Sequence, residues 1–103
     1  MHVLSEHNVT WSEQPWGRQS EVAPGATWHE ISPQKSFGPD KLAGGQELII
    51  VTLAGGAQVR VAERVLRPLA GQVLQRDAGE ELEVVNDTTH VLRLLRVPLL
   101  ANA

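Results

Sequence analysis

Apolar and polar residues alternate through the second half of the chain in short runs broken at even intervals. From Gln46 onward, Gly55, Glu63, Gly71, Gly79 and Asp87 fall eight residues apart, each inside a polar or glycine-bearing cluster. Between them lie runs rich in Val, Leu and Ile. Many short strands with regularly spaced turn signals predict an all-β sandwich or barrel. No stretch of a dozen residues combines 3.6-residue apolar spacing with clean caps, so helix is expected to be minor. The repeat is one of turn spacing only.

Two hairpins can be registered from this pattern. Folding about Gly55 sets Val51 opposite Val59, Ile49 opposite Val61 and Leu53 opposite Ala57. These residues then share one face with Glu47, while Thr52, Gln58 and Arg60 share the other. A one-residue slip would invert every side chain, so the partition argues for this register. Folding about Thr88 sets Leu82 against Leu94, Val84 against Leu92, and Glu83 against Arg93. The last strand, Val91 to Val97, is apolar on both faces apart from two arginines. A strand covered on both sides packs a second layer. Val91, Leu95, Leu99 and Leu100 therefore predict either a homodimer or cover from the N-terminal segment.

The chain of 103 residues fits one domain. Residues 1–26 read as an irregular N-terminal segment packed on a barrel spanning 27–97, which opens with a strand around Thr27–Ser32. The first forty residues hold all three tryptophans (Trp11, Trp16, Trp28) and the only phenylalanine, Phe37.

The absence of cysteine excludes a disulfide scaffold, a thiolate metal site and a cysteine nucleophile. The net charge is −3 and the nine basic residues are scattered. Nucleic-acid binding needs a basic cluster, so it is not expected. No apolar run approaches the ~20 residues of a membrane span. No signal-peptide pattern opens the sequence, and a cytoplasmic protein is the expectation. The glycosylation triplets at Asn8 and Asn86 are then chance matches. No nucleophile elbow, phosphate loop or nucleotide fingerprint is present.

One set of residues resembles a known family. Gly71, Asp77, Gly79, Leu82 and Asn86 keep the spacing of the second cupin motif, in which glycine, proline, glycine, histidine and asparagine occupy those stations. Three match; Asp77 replaces the proline and Leu82 the histidine. The first cupin motif is vestigial. Ser32 to Pro39 is similar to its lead-in, and Glu47 with Gly55 to its end, with the glycine one residue late. Its two histidine stations hold Lys41 and Ala43, or Asp40 and Leu42. The resemblance spans about Thr27 to Val97 and implies a single cupin domain, a jelly-roll β-barrel. A fainter echo, Gln14-Pro15-Trp16-Gly17-Arg18, is similar to the entry of sugar-phosphate cupins of the mannose-phosphate isomerase type.

The resemblance also implies a metal held by three imidazoles and a carboxylate. Only Glu47 of that set survives, so no metal and no cofactor is expected. This reading requires Leu82 to point inward, where the ion would sit. A substitute site from His29, Glu47 and His90 is conceivable, although their spacing does not specify it; His2 and His7 read as solvated. Glu47, on the apolar face, is a candidate general base, and His29 its acid–base partner. Wetting at the barrel rim and burial as a satisfied strand histidine are the bland alternatives. Trp16, Trp28, Phe37, Lys41 and Leu82 are candidates to line a ligand pocket, or to plug the core. Three functions stand open: a metal-free small-molecule-binding barrel; a metal-independent isomerase, epimerase, cyclase or lyase; and a dimeric structural or accessory subunit that binds nothing.

Overall fold

The computed structural model describes residues 4–99. His2 and Leu100 lie outside them. Ten strands follow in order: β1 (Ser12–Gln14), β2 (Gly17–Ala23), β3 (Ala26–Ile31), β4 (Ser36–Lys41) and β5 (Gln46–Leu53), then β6 (Gln58–Val61), β7 (Arg64–Leu66), β8 (Val73–Asp77), β9 (Glu81–Val85) and β10 (Leu92–Leu99). They form a six-stranded sheet, β1-β2-β3-β10-β5-β8, facing a four-stranded sheet, β4-β9-β6-β7. All pairings are antiparallel. Among the described residues there is no helix, hence none long and apolar enough to cross a membrane. The expected all-β jelly-roll architecture is what the chain adopts.

Period-two alternation decides which side chains enter the space between the sheets. The large sheet contributes Ile31, Ile49, Val51, Leu92 and Leu94, and the small sheet Val59, Val61, Leu82 and Val84. Leu82 is wholly buried and points into this core, as the sequence reading required.

The expected hairpins are corrected in their partners. Strand β5 pairs with β10 and β8, while β6 pairs with β9 and β7. Strand β9 pairs with β4 and β6, while β10 pairs with β3 and β5. Both connections cross from one sheet to the other. Alternation assigned the right face to Ile49, Val51, Val59 and Val61, and to Leu82, Val84, Leu92 and Leu94. Those residues meet across the core instead of side by side. Leu53, expected inward, is exposed, just beyond a register shift at Arg93/Leu94. Glu83 accordingly faces Arg60, at 3.4 Å, and not Arg93.

The N-terminal segment also differs from expectation. It supplies β1 and β2, which extend the large sheet beyond β3. Trp11 stacks on Trp28 at 6.2 Å, and Glu6 pairs with Arg93 at 3.0 Å. This segment thus covers one end of the sheet's outer face.

The motif residues act as turn-makers. Gly71 and Gly79 sit at φ 92° and 86°, and an added Cβ would meet nothing within 4 Å, so backbone conformation alone calls for glycine. Asn86 is fully buried. Its Nδ2 donates to the Ile31 and His90 carbonyls at 2.9 and 2.7 Å, and its Oδ1 accepts from the Thr88 amide at 3.1 Å. One side chain thereby ties the β9–β10 connection to β3.

Candidate functional site

Toward one end of the barrel the inward stations change from apolar to charged. On β5 the inward series runs Val51, Ile49, Glu47; on β10 it runs Leu92, Leu94, Arg96; on β8, Leu74 precedes Arg76; on β3, His29 follows Ile31 toward the same end. The small sheet adds Asp40 of β4, which pairs with Leu82 past a register shift that starts at Phe37.

These side chains form one network. Arg76, with no exposed surface, donates from Nε to Glu47 Oε1 at 2.9 Å and from Nη2 to Asp40 Oδ2 at 2.7 Å. Its Nη1 donates to the carbonyls of Asp40 and Glu80 at 2.6 and 3.2 Å. Arg96 reaches Glu47 from Nε at 3.2 Å and from Nη2 at 3.1 Å, and Asp40 Oδ2 at 2.8 Å. Two guanidiniums and two carboxylates balance to zero. Burial pushes the Asp40 carboxyl up, but the Arg76 hydrogen bond and the Arg96 charge outweigh that and hold it below its usual range.

His29 is buried beside this network, with Nε2 3.3 Å from Arg96 Nη1. Burial first, and the Arg96 charge second, lower its pKa to about 4. It is therefore neutral at pH 7. A neighbouring guanidinium can only donate, so Nε2 accepts and the proton sits on Nδ1, which is buried without a partner. Trp16 stacks on this ring at 5.1 Å, and Phe37 lies 4.8 Å from it and edge-on to Trp16 at 5.0 Å.

The predicted site residues thus separate. Glu47 and His29 do meet, through Arg96, with Trp16 and Phe37 against them. Trp28 lies on the opposite face of the large sheet, Lys41 is exposed at the end of β4, and His90 is exposed in the β9–β10 connection. Three surface clefts among the described residues are lined by other side chains than Trp16, Trp28, Phe37, Lys41, Leu82, His29 and Glu47. One of them, about 640 Å³, lies outside the small sheet against Arg60, Glu63, Glu80, Glu81 and Glu83.

Sequence reasoning missed Arg76 and Arg96 and met Asp40 only as an occupant of a lost histidine station. The signal was present: each arginine sits two residues from an inward leucine, at the same parity.

Residues that would hold the metal implied by the cupin resemblance do not fit it. Leu82 fills the core at the imidazole station, and two guanidiniums hold the Glu47 carboxylate. Among the described residues, no group of three or more His, Asp or Glu is placed to bind a metal ion.

Comparison with solved structures defines the fold. A predicted oxalate decarboxylase from Thermotoga maritima superposes with a TM-score of 0.82 at 18% identity, covering 97% of this chain and 100% of that one. The Drosophila melanogaster CENP-C cupin domain gives 0.75 at 13% identity, covering 94% and 80%. The polyketide cyclase RemF from Streptomyces resistomycificus gives 0.74 at 18%, covering 95% and 79%. No protein-family model matches the sequence, and no curated protein sequence does. The chain has the cupin fold.

Proposed function

We propose that this chain is a metal-free cupin module that works through its surface, joined to a second copy across the outer face of the six-stranded sheet. The observation that carries this reading is an uncharged row at the centre of that face. Leu95 pairs with Ile50 and Val97 with Leu48 across β10 and β5, all four half-buried. Val73 beside Ile50 on β8 is 52% exposed. Such a row costs free energy in water at roughly 25 cal/mol per Å². A two-fold contact sets the patch against itself, and with no charge in the row there is no like-charge repulsion. The charged residues at its N-terminal border, Glu6, Arg18, Glu30 and Arg93, already pair with one another.

The engagement of Glu47 and His29 by Arg96 supports a surface role over catalysis. Acid–base work by Glu47 and His29 would require both to leave Arg96. A protein-assembly role has company on this fold, since a CENP-C structure of Drosophila, with a TM-score of 0.75, is bound to CAL1.

The test is solution mass by light scattering on the full chain and on Ile50→Glu and Leu95→Arg variants. A dimer that both substitutions convert to a folded monomer, with circular dichroism unchanged, is the expected result. A wild-type monomer at 100 µM, the scale of an association worth only about 5–6 kcal/mol, would sink it.

A further inference from the structure

Two guanidiniums converge on a single carboxylate oxygen, Asp40 Oδ2, from β8 and β10, the strands on either side of β5. Arg76 is wholly buried, and its other groups are anchored on Glu47 and two backbone carbonyls. Arg96 is held by Glu47 and His29, with its guanidinium carbon 5.5 Å from the Phe37 ring centroid. The Asp40 side chain differs: it is 39% exposed and reaches in from the other sheet. Without it, Arg76, Arg96 and Glu47 leave one positive charge uncompensated in a largely dry setting, which destabilises the fold.

We propose that the Arg76–Arg96 pair forms a binding site for one small monocarboxylate, with Asp40 serving as the chain's own internal ligand. The site takes formate or acetate when the Asp40 carboxylate is withdrawn. The charge balance sets its selectivity. One net positive charge calls for one negative charge, and Glu47, within 3.1 Å of Arg96, opposes a dianion such as sulfate or hydrogen phosphate. The donors already hold one carboxylate oxygen, Asp40 Oδ2, at 2.7 and 2.8 Å, ordinary charge-assisted distances that a free carboxylate's oxygen would take over.

The experiment is thermal unfolding of Asp40→Ala, titrated with sodium formate against sodium chloride and sodium sulfate at matched ionic strength. The expected result is a lowered melting temperature, at least half restored by formate in a saturable way and not by chloride or sulfate. Wild type should show no formate-specific shift, because a tethered carboxylate outcompetes a free one. Adding Arg96→Met should abolish the response. If Asp40→Ala does not fold in chloride, the titration is read by circular dichroism. Recovery of the β-sheet signal in formate then supports the site. Formate doing no better than chloride, in either format, overturns it.

Discussion

At the scale of the residue, His29 makes stability depend on pH. An unfolded-chain imidazole titrates near 6.5, whereas His29 in the fold titrates at about 4. Between those values the unfolded chain binds a proton that the folded chain refuses. Stability is therefore full above about pH 6.5 and declines as pH falls toward 4, by on the order of 3 kcal/mol. The groups facing His29 are Arg96 and Asp40, with Glu47 behind Arg96. Asp40 and Glu30, both held low by arginines, add their own loss at still lower pH. Urea unfolding from pH 7.5 to 4.5 should show this slope in wild type and a shallower one in His29→Gln. Equal slopes would contradict the burial of a neutral ring.

The same scale shows what single residues disclosed beforehand. Gly71, Gly79 and Asn86 were legible because each has a local backbone task that its residue type names. Leu82 was legible because a leucine among Val84 and its neighbours has only one stable place to go. Arg76 and Arg96 were legible only in their parity with an inward leucine; arginine by itself carries no indication that its charge will be matched inside a barrel. The match comes from Asp40, 36 residues before Arg76 and on the other sheet.

At the scale of the element, the charged end of the barrel works as a clasp between sheets. Glu47 bonds both arginines, so Glu47→Gln leaves them sharing Asp40 alone. Breaking a buried pair from one side costs about 3–5 kcal/mol. Urea unfolding of Glu47→Gln should show a loss of that size, and adding Arg96→Met should recover part of it by removing the unpaired cation. A loss below about 1 kcal/mol is what a wet surface pair would give instead. Strand pairing was the least legible level here. Alternation places Val51 and Val59 on inward faces, but the same parity serves two strands side by side or face to face. A short connection such as Gly55–Ala57 is compatible with both. What separates them is where β8 and β10 come to lie, and neither is local to the turn.

At the scale of the whole molecule, cohesion comes from hydrocarbon between the sheets and from arginine–carboxylate pairs at one end. A cupin that relied on an ion would loosen when the ion was stripped. This chain should not: dialysis against EDTA is expected to leave its melting temperature unchanged within error, and a drop of several degrees would mean that a metal is part of the fold. The order of strands in the large sheet carries a consequence of a different kind. Strand β10 lies between β3 and β5, so among the described residues the β1-β2-β3 ribbon and the β5-β8 pair are joined in that sheet through its hydrogen bonds. A ribosome therefore delivers both halves of the sheet before the piece that joins them. Until β10 emerges, the inward edges of β3 and β5 are open seams, and the nascent chain depends on whatever shields them during that interval.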